Sequence, residues 1–172
     1  KTNKDGTSFK GLFKNGQLNG FARKLSQQGK TVMEGIFENN IFIGEARKLL
    51  YQEEVDSFQQ QAIKEVFDSQ INDKDCQASG VICARFRTIS VDLNVDGFNE
   101  IIVMQASSYW CGSGGCYSYI LSKDQNEDNW KILDSVFGAD WNHVLISSKM
   151  TESFYDIYLG KYKCVGGYKC SN

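Results

Sequence analysis

The spacing of apolar residues changes twice along this chain. Near the start, Phe9, Gly11 and Phe13 recur at every second position, as one face of a strand does. Just beyond them, Asn15-Gly16 is a strong turn signal for a tight hairpin, and Asn39-Asn40 is a weaker one. From Leu50 to Asp68 the spacing lengthens. Tyr51, Val55, Phe58, Ala62 and Val66, with Ile63 and Phe67 beside them, form one apolar stripe at helical period. Glu53, Glu54 and Asp56 fall early in that segment, where a helix dipole favours acidic side chains. Residues 69–80 read as a loop. After Gly80, short apolar runs such as EIIVMQAS, CYSYILS and HVLISS alternate with polar turns, which is a strand pattern. The short loops between them predict an antiparallel meander. Together these elements predict an α+β fold: hairpins over residues 1–49, one linking helix over 50–69, and a mainly antiparallel β domain over 70–172.

The hairpin region repeats itself. Phe9–Leu25 and Met33–Leu49 align without gaps: Gly11 meets Gly35, Phe13 meets Phe37, Asn15 meets Asn39, and Gly20 meets Gly44. The tetrapeptide Ala22-Arg23-Lys24-Leu25 recurs as Ala46-Arg47-Lys48-Leu49. Self-similarity of this kind marks stacked supersecondary units. The core of aromatic-x-Gly-x-Phe-x-Asn-Gly, with a later Gly, resembles MORN repeats over residues 7–49. The second unit departs from that pattern at Asn40, where the family prefers Gly, and at Met33, where it prefers an aromatic. The resemblance implies an elongated β-sheet used for protein contact or, in some members, lipid contact. The hairpins equally suit a plain extension of a neighbouring sheet. Two repeats are few for an independent solenoid, so this sheet is expected to dock on the rest of the chain.

Composition narrows the classes. Apolar residues make up 41% of the 172 and aromatics 13%, enough for a packed core rather than disorder. A net charge of −2 argues against a dedicated nucleic-acid binder. Residues 1–50 carry nine Lys and Arg against four Asp and Glu, a balance of +5; the remainder carries ten against seventeen, or −7. That asymmetry fits two solvated faces of opposite sign, or a basic face that steers an acidic partner. No apolar run approaches the ~18 residues that span a membrane. No signal peptide is evident, and a start at Lys1 predicts that a leader or earlier segment has been removed. Proline is absent, so turns depend on Gly, Asn and Asp.

Six cysteines fall into three close pairs, Cys76/Cys83, Cys111/Cys116 and Cys164/Cys170. They admit a zinc site, a catalytic thiol or three disulfides. Structural zinc sites usually contain a tighter knuckle than these pairs offer, and His143 is the single histidine. A catalytic thiol needs a base and an orienting group, and nothing local marks either. Neighbouring disulfides are favoured, most firmly for Cys111–Cys116, whose Gly-rich interval can turn sharply. Disulfides persist in oxidising compartments, so an extracytoplasmic protein is expected, most simply a periplasmic one, with secretion or an outer-membrane anchor as the alternatives.

The segment Asp92–Glu100, DLNVDGFNE, places oxygen side chains at alternate positions before Gly97, like the first part of a calcium loop. Val103 occupies the twelfth position, so an EF-hand is excluded. The segment resembles the shortened loops of FG-GAP-like repeat proteins. That resemblance implies calcium ligation by Asp92, Asn94, Asp96, the Phe98 carbonyl and Glu100. The same residues also fit a metal-free turn whose carboxylates cap backbone N–H groups. Together with the CGSGGC loop, this segment makes residues 76–160 resemble bacterial extracytoplasmic domains of unassigned function. In the CGSGGC loop and its flanks, Tyr109, Trp110, Ser113, Gly114 and Tyr117 are candidate partner-binding residues, although aromatics at alternating positions suit core packing as well.

No catalytic constellation emerges: there is no HExxH, no phosphate-cradling glycine loop and no convincing Ser/His/Asp set. The expectation is a non-enzymatic, extracytoplasmic protein-binding module that requires no cofactor. Its most concrete form is an inhibitor or immunity protein against an envelope-acting toxin or hydrolase. The alternatives are a structural envelope module whose MORN-like basic face meets anionic lipid or a membrane complex, and a calcium-dependent enzyme.

Overall fold

Asn15 and Gly16 both adopt positive φ, and so do Asn39 and Asn40, the mirror-image turn that two-residue hairpins need. Asn tolerates this region better than most side chains. Asn40 is held there from the neighbouring unit: its side chain accepts the Leu18 N–H at 2.9 Å and its own N–H reaches the Leu18 carbonyl at 3.1 Å. These turns join β1 (Ser8–Lys14) to β2 (Gln17–Leu25) and β3 (Thr31–Glu38) to β4 (Ile41–Gly44). The four strands form sheet I, in the order β1-β2-β3-β4. Gly11 and its counterpart Gly35 sit where chains pass closest. A Cβ on Gly11 would lie 2.4 Å from that of Ala22, and one on Gly35 would lie 2.3 Å from the Gly44 carbonyl.

The repeat does not close on itself. Ala22–Leu25 lies in β2, but its copy forms β5 (Ala46–Leu50), which leaves sheet I and pairs with β10 (His143–Thr151). Sheet II runs β13-β12-β11-β10-β5, with β11 (Phe154–Leu159), β12 (Tyr162–Val165) and β13 (Lys169–Ser171). Sheet III is a meander of β6 (Phe86–Val91), β7 (Glu100–Gln105), β8 (Tyr117–Lys123) and β9 (Trp130–Phe137). This description comes from a computed structural model and covers residues 1–123, 129–138 and 143–171.

The expected α+β class is overturned. Strands take 53% of the described chain and helices 12%, in three antiparallel sheets, so the fold is all-β. The apolar stripe yields a helix, but a shorter one: α1 spans Ser57–Ile71. Asp56 stops it from starting earlier. Its side chain accepts the Gln59 N–H while Gln59 reaches back to the Asp56 N–H, a capping box. Before that cap the chain stays extended, and Gln52 exchanges two backbone hydrogen bonds with Thr88 of β6. Within the expected loop, a short helix α2 (Lys74–Ala78) is capped by Asp73 and tied by the Cys76–Cys83 disulfide.

Four layers stack: α1, sheet III, sheet II, sheet I. The main core lies between sheets III and II, where Ile89, Ile102, Ile120 and Val136 meet Val144, Ile146, Ile157 and Leu159. On the other face of sheet III, Ile101, Val103 and Leu121 receive Ala62, Ile63 and Phe67 of α1. Sheet I packs on the far side of sheet II through Ile36 and Phe21 against Leu145 and Tyr158. Among the described residues, a cluster of charges crosses that last boundary. Lys163 pairs with Glu38 of β3 and stands 3.5 Å from Asp156, which is 1% exposed. Neither Asp156 oxygen accepts a hydrogen bond among the described residues, and Lys149 is its second counter-charge, at 4.0 Å.

Removing one partner of a buried pair leaves an uncompensated charge. Lys163→Met is therefore expected to lower stability by about 2 kcal/mol, discounted for the partial exposure of Lys163. Glu38→Gln, which leaves Lys163 with Asp156, should cost less. Urea unfolding of the two variants checks the order; an unchanged midpoint for Lys163→Met would contradict it.

Candidate functional site

Consecutive loops of an antiparallel meander emerge at opposite ends of the sheet. The acidic segment joins β6 to β7 and the cysteine loop joins β7 to β8, so the two marked loops lie at opposite ends of sheet III.

The cysteine loop is a braced tip. The Ser107 carbonyl accepts the N–H groups of Trp110 and Cys111 at 3.2 and 3.0 Å, which turns the chain out of β7. The Cys111–Cys116 disulfide closes the loop. Inside it, Gly112 and Gly115 exchange two backbone hydrogen bonds, both 3.0 Å, and place Ser113 and Gly114 at the exposed apex. The Gly138 N–H binds the Cys116 carbonyl at 3.0 Å, fastening the tip to the end of β9. Gly114 lies flat on Phe137: a Cβ there would come within 2.9 Å of the ring.

Aromatic rings collar this tip. Tyr117 packs on Tyr119 and on Phe137, with centroids 5.9 and 5.0 Å apart, and Tyr109 meets Trp110 edge-on at 4.9 Å. Tyr109, Tyr117 and Phe137 remain 39–42% exposed, which sets them apart from core aromatics. Trp110 is half-buried, and its indole N–H finds no acceptor among the described residues. All five candidate contact residues thus lie on one tip, and Phe137 joins them unanticipated. Its signal in the sequence is weak, because it reaches the collar only through its register opposite Tyr117.

The acidic loop is spent largely on itself. Asp92 accepts the N–H groups of Val95 and Gly97 at 2.7 and 3.0 Å and that of Asp96 at 3.3 Å. Asp96 accepts the Phe98 N–H at 2.8 Å and the Asn94 amide at 2.9 Å. These bonds hold Val95, a β-branched residue, at φ 62°. Glu100 does not face outward with the others. It is 2% exposed, and accepts the Leu93 N–H at 2.8 Å and the Ser122 hydroxyl at 3.4 Å. Among the described residues, no three His, Cys, Asp or Glu side chains gather closely enough to hold a metal ion. Asp92, Asn94, Asp96 and Glu100 thus all take part in the hydrogen bonds that cap this turn.

All six cysteines are paired as neighbours, Cys76–Cys83, Cys111–Cys116 and Cys164–Cys170, which leaves no thiol as a nucleophile. His143 begins β10, opposite Leu50. Among the described residues, no helix is long and apolar enough to cross a membrane. Comparison with protein-family models, curated proteins and solved structures finds no match to this chain.

Burial pushes the Glu100 carboxyl up to about 7, opposed by the Leu93 N–H and assisted by the charges of Asp96 and Asp92. Between its unfolded value of 4.5 and about 7, the folded chain holds a proton that the unfolded chain has released. The contribution of Glu100 to stability is therefore full below the lower value and falls as pH rises through the window, by about 3 kcal/mol. Glu100→Gln should lack this fall, and the two stability curves should diverge from pH 5 to 8. Calcium bound at Glu100 would flatten the wild-type curve; curves that superimpose with and without calcium are expected.

Proposed function

We propose that this protein is a non-enzymatic binding module that works outside the cytoplasm, most concretely as an inhibitor or immunity protein against an envelope-acting toxin or hydrolase. The observation that carries this is the tip at Ser113–Gly114, narrow, disulfide-closed and hydrogen-bonded at its base, with Tyr109, Tyr117 and Phe137 exposed around it. A rigid protrusion loses little conformational freedom on docking, and aromatic side chains supply large contact area at low entropic cost. An apex of Ser and Gly is slim enough to enter an active-site cleft, with the collar sealing its rim. Three disulfides support an oxidising compartment, the periplasm first. The MORN-like resemblance of residues 7–49 adds a second recognition-type surface.

The test is inhibition of purified envelope-acting hydrolases and toxins, peptidoglycan-cleaving enzymes first. The wild-type chain is expected to block at least one at stoichiometric concentration. Tyr117→Ala and Ser113→Arg, both at exposed positions, should each weaken that inhibition roughly 30-fold, the effect of about 2 kcal/mol at an interface centre. Inhibition that survives both changes, or no inhibition across the panel, would overturn this function.

A second reading has its own observation. Sheet I exposes Phe13, Met33, Ile41 and Phe42, and Lys10, Lys14 and Lys30 lie along the same strands and turns. This combination suits an envelope module resting on anionic lipid. Co-sedimentation with phosphatidylglycerol vesicles that fades with added salt would support it, and sedimentation indifferent to lipid charge would exclude it.

A further inference from the structure

At the end of sheet III opposite the tip, residues of sheets II and III line an open cleft of about 720 Å³. Its floor is apolar: Leu49, Val91 and Ile146, beside the half-buried ring of Tyr155. Its walls are polar and come from both sheets, with Glu45 and Arg47 on one side and Ser90, Asp92 and Asn99 on the other. Ser148 adds a hydroxyl from β10. The cleft is braced. The Tyr155 N–H donates to the Leu93 carbonyl at 2.8 Å, and the Ser148 N–H to the Glu45 carbonyl at 3.1 Å. Asn99 is oriented by its amide, which donates to the Ser90 hydroxyl at 3.0 Å and leaves its carbonyl oxygen available.

Several lining groups are uncommitted. The Glu45 carboxylate, the Arg47 guanidinium and the hydroxyls of Ser148 and Tyr155 have no hydrogen bond or ion pair among the described residues. They mix donors with acceptors: a guanidinium that only donates, a carboxylate that only accepts, and hydroxyls that do both. Two carboxylates, Glu45 and Asp92, against one guanidinium disfavour an anionic ligand. What fits is an uncharged molecule with an apolar face and a rim of hydroxyls, each hydroxyl both donor and acceptor. We propose that this cleft binds a neutral oligosaccharide, one sugar ring lying on Tyr155 and the apolar floor and its hydroxyls meeting Glu45, Arg47, Ser148 and Asn99. The site is separate from the aromatic tip and stands or falls apart from the inhibitor function.

The test is a titration of the full chain, followed by amide NMR shifts, with chitotetraose, maltotetraose and cellotetraose. At least one of the three is expected to give saturable shifts centred on Ala46–Leu49, Ser148 and Asn99. Arg47→Ala removes an exposed side chain and should weaken that binding roughly tenfold. Tyr155→Ala should abolish it, and Tyr155→Phe, which keeps the ring in the core, separates the hydroxyl from packing. If no saccharide gives a saturable shift, if the shifts map to the Cys111–Cys116 tip, or if Arg47→Ala and the Tyr155 variants bind as the wild type does, the proposal is overturned.

Discussion

Everything else in this fold leans on β7 being buried on both faces. All six of its residues, Glu100–Gln105, are buried. Ile102 enters the core shared with sheet II, while Ile101 and Val103 enter the one beneath α1. A strand covered on both sides cannot slip register without driving its apolar set into the wrong layer. Its two ends are therefore fixed points. One launches the disulfide-closed tip; the other carries the acidic turn and one wall of the cleft. Burial also explains Glu100, a carboxyl drawn into the first position of β7 and kept from ionising easily by the same layers.

Hydrogen bonds stitch the sandwich of sheets II and III along both sides. At one side, Gln52 and Thr88 join the extension of β5 to β6. At the other, Asp134 of β9 accepts the Cys170 N–H of β13 at 2.7 Å. Such links occupy edge groups that would otherwise invite pairing with another chain. The Cys164–Cys170 disulfide, between partners directly opposite in β12 and β13, secures the shortest edge strand. Sheet I is attached differently, by a small apolar contact and the Glu38–Lys163–Asp156 charges.

Local signals were legible where the cause was local. Asn15-Gly16 and Asn39-Asn40 mark turns because the side chains at those positions decide which φ values are reachable. The Cys111–Cys116 pair was readable because so short a Gly-rich interval leaves its sulfurs little choice. The fold class was not legible. A strong helical stripe and a helix-like acidic start suggested more helix than Asp56 allows, and β5 carries the same Ala-Arg-Lys-Leu as β2 yet joins another sheet. Identical residues cannot announce different partners; the contacts of β5 lie in β10, far along the chain. The same holds for the sites. The tip residues are adjacent in sequence and could be named, whereas Phe137 and the cleft groups Arg47, Asn99 and Tyr155 come together only through tertiary structure.

The disulfides underlie both the compartment and the rigidity of the tip, so they are the place to measure. Intact mass of the unreduced protein, taken from its native compartment, denatured and treated with a thiol alkylating reagent, reads them directly. The expected result is no alkylated cysteine and a mass lighter than the reduced chain by the six hydrogens of three disulfides. Six alkylated thiols would contradict it, removing the brace from the tip and the argument for an oxidising compartment together.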